Sequence, residues 1–348
     1  MKKATMADVA KHAGVSKSTV SQYINNRFTY MSQATKARIK DAIDELQYFP
    51  NHTAKSLKQK KTSTIGVIVA NSLHSFSSEV IHAIEEECEK NNFQIFVCNA
   101  DDDSEKERNY IDILLAKQVD GLIIFPTSGN FDYYKTLKQL NFPVVFMDRK
   151  IDENLYPTFL LDNDEASNMA VKTFSEKEID ELGIVLPPLK EGVTPRRERL
   201  EGFKKALANR NHEEWIISGG KEAIQEKLEE LYAAGNLPRA FFTVNDISLI
   251  ELLTFIKRKR LRVPDDVSII TIDDSVFLDL LQPPITVIKQ PTIEMGRSAT
   301  ECLLKLIEDD ALKQTYQVNR FTPTIKQRRL VANEVEVNEH GTESVNNR

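Results

Sequence analysis

Between Ser16 and Asn25 the chain reads SKSTVSQYIN, and Lys17, Ser18, Ser21, Gln22 and Asn25 recur at i, i+1, i+4, i+5 and i+8. On a helix of 3.6 residues per turn that spacing gathers them on one face. Carboxamides pair with the edge of a purine, while ammonium and hydroxyl groups reach phosphates, so this face has the chemistry to read a DNA groove. Ser16 stands where the helix would be capped, Thr19 one turn in, and Thr5 caps the helix before it. The alternative is an ordinary helical hairpin with a solvated polar face.

A second set of polar groups follows apolar runs further along. Asn71, Ser72 and Phe76 come after one run, Asp101 and Asp102 after the next, then Pro126 and Thr127, then Asp148 and Arg149. Beyond them stand Pro187 with the segment TPRRER, then Asn245-Asp246 and Asp273-Asp274. Carboxylates and amides suit hydroxyl groups, and arginine forks suit a carboxylate or phosphate. Arg196, Arg197 and Arg199 give three forks in four residues, more than a neutral sugar needs, or else a basic surface turn. The chain has no G-x-S-x-G, Walker sequence, dinucleotide fingerprint or paired Cys/His spacing. Its six histidines are scattered, and Cys88, Cys98 and Cys302 sit in apolar contexts as expected free thiols. Neither a catalytic residue nor a cofactor nor a metal is expected.

The elements that position the first set are short helices. Thr5 with Asp8 three residues on marks a start, and Met6, Val9, Ala10 and Ala13 form an apolar stripe. Gly14 can end that helix at positive φ, and Ser16 opens the next, with Val20 and Ile24 inward. A third helix from Ser32 through Ile39, Ala42, Ile43 and Leu46 closes a small core. Such a pair joined by a tight turn is the geometry that docks in a major groove. Charge agrees: residues 1–62 hold twelve Lys or Arg against four acids, +8, whereas the whole chain is −6, leaving −14 for the rest. A basic end on an acidic body is expected when one small domain neutralises phosphates.

From Thr62 the pattern becomes apolar strand alternating with amphipathic helix, twice over. TIGVIVAN, FQIFVCNA, VDGLIIFPT and PVVFMDR form one series, and LGIVLPP, EEWIIS, RAFFTVND and VSIITIDD another. Helices are expected at about 163–177, 199–209, 221–234 and 246–259 in the second. Strands apolar on both faces with crossover helices mean doubly wound parallel sheets, whose ligands bind beyond the strand C-termini. Asp148 and Asp273 are then either ligand contacts or helix N-caps, and Arg199 either an anion contact or a surface arginine paired with Glu198 or Glu201.

In order and spacing, DVAKHAGVSKSTVS, ELQYFPN and Ala54-Lys-Ser-Leu57 resemble the LacI/GalR family of bacterial repressors, and the likeness runs to about Arg329. It implies an all-α helix-turn-helix head at 1–50, a hinge helix and linker at 51–61, and a two-lobed periplasmic-binding-protein-like α/β core at 62–330. Lobe 1 would take about 62–161 and 290–318, lobe 2 about 162–289 and 319–330, with crossings near Asp162, Lys289 and Asn319. Residues 331–348, polar and acidic, would be a mobile tail lacking leucine heptads, so a homodimer is expected.

The resemblance further implies a cytoplasmic, sequence-specific repressor of carbohydrate or sugar-acid catabolism on a palindromic double-stranded operator. It implies DNA contacts from Thr5, Ser16, Lys17, Ser18, Thr19, Ser21, Gln22 and Asn25, and from Asn51, Ala54 and Leu57 of the hinge, Leu57 as a minor-groove wedge. It implies effector contacts from Ser72, Phe76, Asp148, Arg196, Arg197, Arg199, Asn245 and Asp273, with Gln290 between the lobes. The overall sequence is similar to regulators of 2-keto-3-deoxygluconate and hexuronate catabolism, which favours a sugar acid, with a neutral sugar or nucleoside as alternatives. A transport-type sugar-binding protein would need a signal peptide and has no use for the basic head; no apolar run approaches membrane length. Three departures stand out: NNRFTYMSQAT is one residue longer than usual between the second and third helices, NDISLIE carries Leu249 and Glu251 where the family has Ala and Gly, and TID carries Thr271 for Gly.

Overall fold

The computed structural model describes residues 4–48, 61–151, 155–190, 193–208, 213–309, 311–312 and 316–328. The expected hinge contacts Asn51, Ala54 and Leu57, and the tail from 331, lie outside the described residues. The chain divides into two units, Met1–Thr62 and Ser63–Arg348.

In the first unit, α1 (Met6–His12), α2 (Lys17–Ile24) and α3 (Gln33–Glu45) pack around Val9, Ala10, Ala13, Val20, Ile39, Ala42 and Tyr48. Each helix starts where its sequence cap stands. Thr5 and Asp8 form a reciprocal capping box, and Ser16 and Ser32 accept from Thr19 N and Thr35 N at 3.1 and 3.2 Å. Gly14 takes φ +63° in the turn between α1 and α2, a conformation costly for other residues.

The second unit is two lobes of the same construction. Lobe 1 holds β1 (Thr64–Val69), α4 (Ser75–Lys90), β2 (Gln94–Asn99), α5 (Ser104–Ala116), β3 (Gly121–Ile124), α6 (Phe131–Gln139), β4 (Val144–Met147) and β5 (Thr158–Leu161). Lobe 2 holds α7 (Asn163–Ser175), β6 (Glu181–Leu186), α8 (Thr194–Leu207), β7 (Glu213–Ser218), α9 (Lys221–Ala233), β8 (Ala240–Thr243), α10 (Asp246–Lys259), β9 (Ser268–Ile272) and β10 (Thr286–Lys289). The chain then returns to lobe 1 with α11 (Thr292–Glu308) and β11 (Val318–Phe321), and to lobe 2 with β12 (Thr324–Lys326). The sheet orders, β11-β5-β4-β3-β1-β2 and β12-β10-β9-β8-β6-β7, are parallel except for antiparallel β12 on β10. Helices on both faces bury the central strands, which is why these read as unbroken apolar runs.

Two boundaries differ from expectation. Asn319 is paired with Phe159 inside the lobe 1 sheet, so the third crossing falls after Phe321. Helix α8 begins at Thr194, not near 199: Pro195, without an N–H to lose, sits in the first turn. The segment TPRRER is therefore helix rather than loop. The lobe 2 departures are absorbed in packing. Leu249 is buried among Phe255, Leu252 and Val287, Glu251 takes the Gln225 amide at 3.0 Å, and Thr271 Oγ1 donates to Ile272 O at 3.0 Å.

Candidate functional site

On α2 the side chains of Lys17, Ser18 and Gln22 are exposed, whereas Thr19, Ser21 and Asn25 are half-buried. Ser16 Oγ shares hydrogen bonds with Ser18 Oγ at 2.6 Å and Thr19 Oγ1 at 2.8 Å, so the start of the helix presents a cluster of hydroxyls. Asn25 is drawn back: its amide donates to Ser21 O at 2.7 Å, closing the helix end. Thr5, expected beside the DNA, spends its hydroxyl on Asp8 at 2.6 Å. Lys17 and Gln22 are the two long polar side chains left to project. In the lengthened loop, Phe28 packs edge-on against Tyr23 and lies under the Lys36 ammonium at 4.2 Å, while Tyr30 is 99% exposed.

The second site forms where β1, β4, β8 and β9 end. Phe76, Asp148, Arg196, Arg199, Asn245, Asp273 and Gln290 line one cleft between the lobes. Ser72 and Arg197 do not: Ser72 is exposed, its amide on Asn99 Oδ1 at 3.1 Å, and Arg197 is exposed on α8. The reason for Arg197 is the early helix start. Residues three apart share a helix face, so Arg196 and Arg199 point into the cleft and Arg197 away from it. His74, which belongs to no sequence motif, and Arg149 line it too.

Asp148 and Asp273 cap no helix; they sit just past β4 and β9 at φ +64° and +79°. Aspartate adopts that left-handed conformation more readily than most residues, and here it turns the chain at the two strand ends. Arg199 is 5% exposed and no surface residue: Nε donates to Asn163 Oδ1 at 2.8 Å and Nη1 to Val244 O at 2.6 Å. Gly202, one turn on, lets α8 approach α7, since a Cβ there would lie 3.1 Å from Asp164 Cα. Asn245 caps α10 through Oδ1, which accepts from Ser248 N at 3.0 Å, so its amide nitrogen is what remains for a ligand.

Charges in the cleft are largely matched. Arg149 Nη1 is 2.6 Å from Asp102 Oδ1, and Arg196 lies 3.9 Å from the same carboxylate while donating to Pro188 O at 2.9 Å. His74 Nδ1 is 2.6 Å from Asp246 Oδ1, between lobes. Burial works against a charged His74 ring, but the bond and charge of Asp246, with Asp273 and Asp148 behind, outweigh it and raise the His74 pKa. For Asp246 burial is likewise outweighed, by the His74 bond and charge, and its pKa is lowered. Burial pushes the Asp273 carboxyl up to about 6 against the pull of Arg199, with Asp246 adding to the rise. Gln290 donates to Asp273 at 2.6 Å, and Phe76 and Phe125 form an edge-to-face wall 6.2 Å apart.

The cleft encloses about 50 Å³, room for one or two waters at roughly 30 Å³ each. A larger groove of about 870 Å³ lies where Asp162, Glu198, Glu201, Lys205 and Arg320 meet, and none of the expected effector contacts lines it. Among the described residues no cluster could hold a metal ion, and no helix is long and apolar enough to cross a membrane. The three cysteines are free, and burial pushes the Cys88 thiol up to about 12.

Comparison with known proteins matches residues 5–51 to the family of bacterial regulatory proteins, lacI family, and residues 171–329 to a periplasmic binding protein-like domain. The probable HTH-type transcriptional regulator EndR of Paenibacillus polymyxa is 42% identical over 94% of this chain and 98% of its own. The HTH-type transcriptional repressor PurR of Aliivibrio salmonicida is 34% identical over 88% and 93%. Among solved structures, the lac repressor dimer bound to operator and the anti-inducer ONPF superposes with a TM-score of 0.81 at 25% identity, over 95% of this chain and 100% of that one.

Proposed function

The chain belongs to the lacI family of bacterial regulatory proteins and is a DNA-binding transcriptional regulator rather than an enzyme; we propose that it is a cytoplasmic homodimeric repressor whose hold on a palindromic operator is set by a small neutral carbohydrate bound between its lobes. The observation that carries this reading is the convergence of Asp148 from lobe 1 with Arg199, Asn245 and Asp273 from lobe 2 on one cleft. A ligand touching both lobes binds their open and closed arrangements with different strength, which any ligand-driven shift requires.

The charge balance favours a neutral polyol over the sugar acid. Arg196, Arg199 and Arg149 already hold Pro188 O, Val244 O and Asp102, and Arg197 lies outside. What the cleft offers is Asp148 and Asp273, acceptors for hydroxyls, beside the aromatic wall of Phe76 and Phe125. A ligand carboxylate would meet these two carboxylates. One observation favours the sugar acid as second reading: Arg149 Nε is buried without a hydrogen-bond acceptor, the nearest carboxylate oxygen being 3.8 Å away on Asp148. For the dimer, edge strand β2 leaves Phe96 and Val97 exposed, and β7 leaves Ile216 exposed, edges that folded proteins rarely leave uncovered.

On DNA, Gln22 and Lys17 of α2 are the base-reading pair, with Ser18 and the hydroxyls of Ser16 and Thr19 beside them. Selection from a randomised duplex pool, followed by mobility shift on the winning sequence and on a scrambled one, tests the first half. Calorimetric titration with neutral sugars and with sugar acids tests the second. Equal affinity for selected and scrambled DNA refutes the regulator's sequence reading, and heat from sugar acids alone refutes the neutral ligand.

A further inference from the structure

The seam between the lobes is closed by the protein's own groups. His74, the residue before α4 in lobe 1, meets Asp246, the first residue of α10 in lobe 2, at 2.6 Å. The other carboxylate oxygen takes Ser75 N at 3.1 Å. Two neutral contacts also cross between the lobes: Ser275 Oγ donates to Ser75 Oγ at 2.9 Å, and Lys150 N to Thr194 Oγ1 at 2.9 Å. The side chains of His74 and Asp246 are only 15% and 10% exposed, so water screens them weakly.

We propose that His74 is a positioning residue of the effector switch, acting through Asp246: with the imidazole protonated the pair holds the lobes closed, and with it neutral the lobes part more readily, which makes the regulator's response depend on pH. This rests on the cleft being the effector site, but the seam can be read with no effector present.

The groups facing the ring make the coupling one-sided. Asp246 of α10 is bonded to the ring, while Asp273 from the end of β9 and Asp148 from the end of β4 share its cleft and act on it through their charge. The cations of the same lining, Arg149, Arg196 and Arg199, are engaged with Asp102, Pro188 O, Asn163 and Val244 O. Losing the proton from His74 therefore costs more than one ion pair. It leaves Asp148 of lobe 1 facing Asp246 and Asp273 of lobe 2 with like charge across a buried seam. Because the folded-state pKa of His74 lies above its ordinary 6.5, the stabilisation is complete below 6.5 and is lost as pH rises through the higher folded value. The neutral contacts of Ser75 and Thr194 do not change over that range and so limit how far the lobes part.

The test uses the full chain without ligand. Small-angle scattering at pH 6 and at pH 8.5 reads lobe separation, and ¹³C-histidine NMR reads the His74 titration, its signal identified as the one missing in His74→Gln. The radius of gyration of the parent should rise between the two pH values, and that of His74→Gln and of Asp246→Asn should not. The His74 midpoint should lie above 6.5 in the parent and fall in Asp246→Asn. A merely structural role would alter stability in the variants but leave the parent's dimensions independent of pH. The proposal is overturned if the parent does not expand, or if Asp246→Asn expands as the parent does. Should His74→Gln not fold, the scattering comparison of parent with Asp246→Asn still decides.

Discussion

Asp273 is the carboxylate whose replacement should strengthen the fold while weakening the cleft. Its pKa rises from 3.8 to about 6, through burial first. An acid whose pKa is higher folded than unfolded is ionised at a cost. Below 3.8 it is protonated in both states and nothing is lost; the cost grows between 3.8 and 6 and is constant above. A rise of about 2 pH units at 1.36 kcal/mol each puts that cost on the order of 3 kcal/mol. Asparagine keeps the shape, accepts from Gln290 Nε2 through Oδ1, and tolerates the φ of +79°. Arg199 loses a neighbouring charge but keeps Asn163 and Val244 O, so the net gain for Asp273→Asn at pH 7.5 should be about 1–3 kcal/mol. At roughly 2–4 °C per kcal/mol, the melting temperature should rise by about 2–12 °C. Calorimetry from pH 5 to 8 should show the gap between variant and parent widening up to about pH 7 and then holding. A variant that melts below the parent at pH 7.5 would refute the reasoning, because the carboxylate would then be a net stabiliser paired to Arg199 and His74.

Gln22→Ala should cost about 1–3 kcal/mol at one position of each half-site and little on random DNA, as titration against single-base variants of the selected operator will show; exposed Lys40→Ala should weaken both alike and flatten the salt dependence. Asp148→Asn should lower effector affinity about 10–100-fold by removing a charge-assisted acceptor, with DNA affinity in the absence of effector unchanged at pH 6, where the seam is closed in variant and parent alike, measured by calorimetry and mobility shift. Gly202→Ala should lower the melting temperature, since its Cβ meets the Asp164 backbone at 3.1 Å and α7 would have to move; overpacking of this kind costs about 1–3 kcal/mol, more than the helix propensity regained.

Caps, periodicity and strand runs were legible because they are local. Thr5, Ser16 and Ser32 cap the helices they were expected to cap, and apolar runs became central strands. What escaped was set by tertiary context. The start of α8 is set by Pro195 in its first turn, five residues before the expected 199, and with it the direction of Arg197. The rule that proline is tolerated there was available, and the i, i+3 spacing of Arg196 and Arg199 was the signal. Asn319 lies in a lobe 1 strand because β11 extends the sheet beside β5, a long-range pairing that no local pattern announces. His74 carried no motif; its partner Asp246 lies in another lobe, and only the fold brings the two together.

The repetition of one construction in both lobes explains why the cleft is poised. The sheets share a strand order, and the strands that precede Asp148 and Asp273 hold the same place in it, so each lobe delivers one carboxylate to the seam. Closing the lobes brings like charges toward each other in a site with little water. That is unfavourable unless donors intervene. With the cleft reduced to about 50 Å³ the donors are internal: His74 at Asp246, Gln290 at Asp273, and Arg199 nearby. A polyol would supply hydroxyls to the same two carboxylates, one from each lobe, and would need the lobes to open before it could enter. Proton and ligand thus act on a single balance of charge across the seam. Neutralising one carboxylate should therefore weaken both responses together: Asp148→Asn, expected to lose effector affinity, should also expand less than the parent between pH 6 and pH 8.5. Full expansion in that variant would separate the two effects and show that Asp148 serves the ligand alone.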